Sequence, residues 1–164
     1  MFSVRSADPR YVPLLLLSAA AAVAAGTSVY LFDRDWSAVQ FLAPFAEWQP
    51  DVSGQFGSIG DVLPSLTHAY AFALLIMLAL WPAKRARQVG AFAWLLTALG
   101  LESLQSRFVQ EAVAGSSLRI GALPGGDNSV AYILNGRFDA LDLLAAALGV
   151  CLAYLASSVL EKPS

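Results

Sequence analysis

The spacing of the charged residues constrains this chain more than any other feature. Only 22 of its 164 residues are charged, 10 basic and 12 acidic, and they cluster so as to leave uncharged stretches of membrane-spanning length. Tyr11 to Phe32 is 22 residues without a charge; as a helix it reaches about 33 Å, enough for a hydrocarbon core of roughly 30 Å. Val62 to Ala83 is a second window of 22 residues, with Pro64 near its start, where a first helical turn tolerates proline, and Trp81-Pro82 at its close. Gln88 to Leu101 has only 14 residues and becomes long enough by taking in Glu102 and running to about Gln105. Leu143 to Leu160 has 18, preceded by Asp139 and Asp142 and stopped by Glu161-Lys162-Pro163. These windows predict a single all-α membrane domain over residues 1–164. Its four transmembrane helices form an antiparallel bundle, with spans at about 11–32, 62–82, 88–106 and 141–160 and outer loops at about 33–61 and 107–140. A cleaved signal peptide is the alternative for the first window, whose 22 residues exceed the usual core of about 7–15.

Composition agrees. Apolar residues make up 57% and charged residues 13%, against roughly 45–50% and 25% in a soluble domain, which argues against a soluble enzyme. A net charge of -2 gives no case for nucleic acid, so the lipid bilayer is the expected partner. The single cysteine, Cys151, allows neither an internal disulfide nor a cysteine-rich metal site. With the N-terminus inside, the inner segments carry Arg5, Arg10, Lys84, Arg85, Arg87 and Lys162, against Arg34, Arg107, Arg119 and Arg137 in longer outer loops. The positive-inside rule then places both termini in the cytoplasm. In the first outer loop Trp36, Phe41, Phe45 and Trp48 suit an aromatic stripe on a short interfacial helix. In the second, Gly115-Ser116-Ser117 and Pro124-Gly125-Gly126 are turn signals.

Antiparallel spans bring the start of the second, the end of the third and the start of the fourth to one membrane face. His68, Glu102, Gln105, Asp139 and Asp142 therefore converge there. Glu102 and Gln105 share a helix face with Ala98. Along the fourth helix Ala145, Gly149, Ala153 and Ser157 recur every four residues, a pattern that lets membrane helices approach closely. Structural roles are open to each polar residue. Asp139 and Asp142 have N-cap and N3 spacing, His68 could be a packed interfacial histidine, and Glu102 could pair with Arg107 or Arg137. A carboxylate within a span is costly and usually faces a polar partner or cavity. A metal held by His68, Glu102 and Asp142 has only one histidine and no spacing signature behind it, so neither metal nor other cofactor is expected.

Leu101-Glu102-Ser103-Leu104-Gln105, followed by Asn135-Gly136-Arg137-Phe138-Asp139-Ala140-Leu141-Asp142 and its apolar continuation to Gly149, resembles the VanZ-like family of small bacterial membrane proteins. Leu63 to Phe72, with His68 followed by apolar and aromatic residues, resembles that family's second span. The likeness covers about half the chain. Two positions depart from it: Pro64-Ser65 stands where the family has an Asp-Lys pair, and Ala146 where it has an asparagine. Both losses remove polar groups from the same face of the bundle. The resemblance implies a multi-pass protein of the bacterial inner membrane, and the family's namesake is linked to glycopeptide-antibiotic resistance.

Two functions fit these residues. In one, the chain is a scaffold or accessory factor in envelope biogenesis or antibiotic tolerance, its polar residues forming an interhelical knot and its loops meeting another membrane protein. In the other it is an enzyme or lipid-handling protein acting on an envelope glycan or polyprenyl-linked precursor. Glu102 and His68 would then be base and acid with Asp142 beside them, and Arg137, Gln105 and Asp139 would hold the substrate. Proton conduction fits less well, since the inner halves of the spans carry no ionisable residue to continue a relay.

Overall fold

The computed structural model describes residues 10–39, 42–50, 54–81, 83, 85–115, 130, 133–134 and 136–160, and their regular structure is all helical, with no strand among them. The helices are α1 (Val12–Phe32), α2 (Ile59–Ala79), α3 (Ala86–Leu104), α4 (Arg107–Ala114) and α5 (Ala140–Ala156). A 3-10 turn (Ser157–Leu160) extends α5. Three segments, Val12–Phe32, Ile59–Ala79 and Ala140–Leu160, are long and apolar enough to cross a membrane, as expected of a multi-pass membrane protein. α3 is 19 residues long, but Arg87, Gln88, Thr97 and Glu102 leave it less apolar than the other three.

α2 lies at the centre, packed on α5, α1 and α3, and α3 also packs on α5. Each contact follows from a stripe of small or slender residues. α1 buries Leu15, Ala19, Gly26 and Val29, one helical face, and Ser18 Oγ shares a hydrogen bond with Tyr70 of α2 at 2.9 Å. α5 buries Ala145, Gly149 and Ala153 of the expected stripe, and Ser157 beyond them. A Cβ at Gly149 would press on the Leu66 carbonyl and lie 2.9 Å from the Tyr70 nitrogen, so the close approach requires glycine there. Ala146 lies in the apolar core with Ala69, Leu74, Met77 and Val150. On the outside Leu17 and Leu144 are each 67% exposed, as lipid-facing residues are.

α2 begins three residues earlier than the uncharged window, because Ile59, Gly60 and Asp61 continue the helix and acidic Asp61 suits its first turn. Pro64 is therefore inside the helix, where it cannot donate to the Gly60 carbonyl four residues back. Arg34 supplies the missing donor, its Nη2 lying 3.2 Å from that carbonyl and 3.5 Å from Asp61.

The aromatic residues of the first loop do not share one helix. Trp36–Ala38 and Ala43–Trp48 are separate 3-10 turns. Asp35 caps the former and Pro44 starts the latter, and Phe41 lies outside the described residues. Phe45 and Trp48 still meet, with ring centroids 5.7 Å apart. The second loop opens with α4, while Ser116, Ser117 and Pro124-Gly125-Gly126 lie outside the described residues.

Candidate functional site

α3 carries Arg87, Gly90, Trp94, Ala98 and Glu102 on one stripe, with Gln105 as its C-cap, and the polar residues at its two ends clip it to α5. A helix leaves its first N–H groups and last carbonyls without intrahelical partners. At the start of α5 the Asp139 side chain caps the helix, accepting from the Leu141 nitrogen at 2.8 Å. In the usual reciprocal arrangement a carboxylate at N3 would accept from the N-cap nitrogen. Asp142 holds that position but is turned to α2, where Ser65 Oγ donates to its Oδ1 at 2.7 Å. Glu102 takes its place from the neighbouring helix, accepting from the Asp139 nitrogen at 2.6 Å. The three carboxylates thus join α2, α3 and α5 at one point, the carboxylate end of the bundle.

Gln105 also belongs to this end. Its amide packs so closely on Gly136 that a Cβ there would overlap it, and Gln110 of α4 donates to the Gly136 carbonyl at 2.7 Å and the Ile133 carbonyl at 3.0 Å. Arg137 follows in an exposed position. Neither it nor Arg107 forms an ion pair with Glu102, so the expected pairing is replaced by the bond to the Asp139 backbone. The physical reason is local: the N-cap N–H lies within reach of Glu102, while Arg137 lies in the extended segment before α5 and lines two open clefts. One cleft, of about 690 Å³, has Gln105, Ser106, Arg107, Gln110, Gly136 and Phe138 around it. The other, of about 680 Å³, has Arg34, Asp61, Val62, Phe138, Asp139 and Asp142 among its walls.

His68 makes no hydrogen bond to the carboxylates among the described residues. It faces α1, where the absence of a side chain at Gly26 leaves room for its ring: a Cβ there would lie 3.1 Å from Nε2. The ring stacks on Tyr30 at 6.2 Å between centroids and meets Phe72 at the same distance. Phe72 in turn stacks on Trp94 of α3 at 4.9 Å. No hydrogen bond or ring contact links His68 to Glu102 among the described residues.

Sequence reasoning missed the opposite end. Arg87, read only as part of a basic cluster, is buried. Its Nη2 donates to the Tyr154 carbonyl at 2.6 Å, its Nε to Ser157 Oγ at 3.1 Å, and its guanidinium lies 4.0 Å over the Tyr154 ring. Ser157, wholly buried, completes the group by reaching Met77 Sδ at 3.4 Å. One signal was available: Arg87, Trp94, Ala98 and Glu102 follow helical spacing. The basic residue is thus on the inward face.

Outside the apolar contacts, Asp35 accepts from both the hydroxyl and the backbone nitrogen of Ser37 at 2.8 Å. These bonds hold its carboxyl below the usual carboxylate range. Comparison with protein-family models, characterised proteins and solved structures gives no match.

Proposed function

We propose that the chain is a multi-pass scaffold of the bacterial inner membrane, VanZ-like in type. α3 joins the other three helices as a fourth span, and both termini lie in the cytoplasm. It acts as an accessory factor in envelope biogenesis or antibiotic tolerance, presenting the loops of its carboxylate end to another membrane protein. The observation that carries this reading is the bond from the Asp139 nitrogen to Glu102. The carboxylate a catalyst would need as a base is engaged in holding α3 to α5, and the histidine that would be its acid is packed among aromatic rings with no hydrogen bond to Glu102. Arg87 supports the same reading, since it spends its donors on α5.

The enzyme reading keeps one observation, that Arg137 and Asp142 line the same open cleft, and one pair of variants separates the two. Glu102→Gln retains an acceptor for the Asp139 nitrogen, so a scaffold keeps its function and loses at most about 1 kcal/mol of stability, whereas Glu102→Ala loses more. Thermal unfolding in detergent and complementation of a deletion strain measure both. A Glu102→Gln protein of parental stability that fails to complement would overturn the scaffold reading in favour of catalysis.

A further inference from the structure

We propose that the cleft at the carboxylate end binds the head of an aminophospholipid of the phosphatidylethanolamine type, with one acyl chain lying in the trough between α1 and α3. This goes beyond the scaffold reading and depends only on the chain being embedded in lipid.

Some charges of the cleft are already engaged. Arg34 is held by Asp61 and the Gly60 carbonyl, and Asp139 commits Oδ1 to its own helix as the N-cap. Arg137 has no ion pair or hydrogen bond among the described residues, and Asp142 commits only Oδ1, to Ser65. One cation and two half-engaged carboxylates, Asp139 and Asp142, thus remain on the walls of a single cleft. A purely anionic head would meet Asp61 and Asp142, and a purely cationic one would meet both arginines. A zwitterion with a phosphate for Arg137 and an N–H-bearing ammonium for Asp142 satisfies both.

The trough supplies the second half. α1 and α3 flank α2, and its face between them carries Asp61, His68 and Phe72, seven and eleven residues apart and so on one side. Asp61 lines the cleft. Tyr30, His68, Phe72 and Trp94 run in ring contact from α1 to α3, and Phe72 remains 41% exposed. From Asp61 to Phe72 the helix rises about 16 Å, close to half of a roughly 30 Å core, the depth of one leaflet. An acyl chain entering from the head site would cover this aromatic floor.

The test uses the full chain, delipidated in detergent and offered dioleoyl phosphatidylethanolamine, phosphatidylcholine or phosphatidylglycerol, with retained lipid counted by native mass spectrometry. The ethanolamine lipid should be retained at least about five-fold over either competitor, because a quaternary amine cannot donate to Asp142 and a glycerol head carries no cation. Arg137 is exposed, and Arg137→Gln should lower retention about ten-fold, the size of one charge-assisted hydrogen bond. Asp142→Asn, which can still accept from Ser65, should narrow the preference for the ethanolamine over the choline lipid. Glycerophosphoethanolamine, the head without chains, should not be retained. Equal retention of the three lipids by the parent would overturn the proposal, leaving only general lipid coating. So would preference for phosphatidylglycerol, or Arg137→Gln protein indistinguishable from the parent.

Discussion

Arg87 and Glu102 sit fifteen residues apart on α3 and act on opposite ends of α5, each supplying what that helix terminus lacks. At the C-terminal end the missing partner is a donor. Arg87→Met would remove the guanidinium's bonds to Ser157 Oγ and to the Tyr154 carbonyl, which the Ser157 hydroxyl also reaches at 2.9 Å, at a cost of about 2 kcal/mol. Arg87→Lys should recover only part of this, because an ammonium cannot serve both acceptors in the guanidinium's fixed geometry; thermal unfolding in detergent measures the order parent, lysine, methionine. In the first loop Asp35 gives a pH signature. Its folded pKa is depressed by Ser37, so the 3-10 turn it caps gains support above the ordinary carboxylate pKa and loses it as pH falls through the lower folded value. Carboxyl NMR should give an Asp35 midpoint below the ordinary range, returning toward it in Ser37→Ala.

Between elements, small residues decide the distances. α5 meets α2 along Ala145, Gly149 and Ala153, and at Gly149 the opposing surface is backbone, which cannot rotate away as a side chain can. Gly149→Ala should therefore cost about 2 kcal/mol or more, seen as lower abundance and unfolding temperature; a variant matching the parent would place this stripe against lipid. α4 shows the reverse. It presents Phe108 with 81% exposure and Ala112 on the same side, while Gln110 on another side ties it to the segment before α5. That division suits a helix lying in the headgroup layer. A tryptophan introduced by Phe108→Trp should be quenched by lipids brominated near the head of the chain more than by those brominated near its end.

At the scale of the whole molecule, the scaffold reading requires α3 to cross the bilayer, and this is testable with single cysteines. Ala83→Cys, exposed before α3, and Glu111→Cys, exposed on α4, should react with a membrane-impermeant reagent from opposite sides of the membrane, in a background where the native Cys151 is replaced by serine. Reaction of both from one side would remove α3 from the spanning set. Of the four spans and five converging polar residues read from the sequence, the all-helical membrane character, three spanning segments, the meeting of Glu102, Gln105, Asp139 and Asp142 at one end, and the small-residue face of α5 were legible in the sequence by itself. These follow from the lengths of uncharged runs and the 3.6-residue period, which are local properties. Only the tertiary structure decided what each polar side chain faces. Asp142 could reach its own helix end or Ser65, Glu102 an arginine or the Asp139 nitrogen, and Arg87 water or the last carbonyls of α5. Each choice depends on which neighbouring helix brings an unpaired backbone or hydroxyl group within about 3 Å, a distance set by packing between segments remote in sequence.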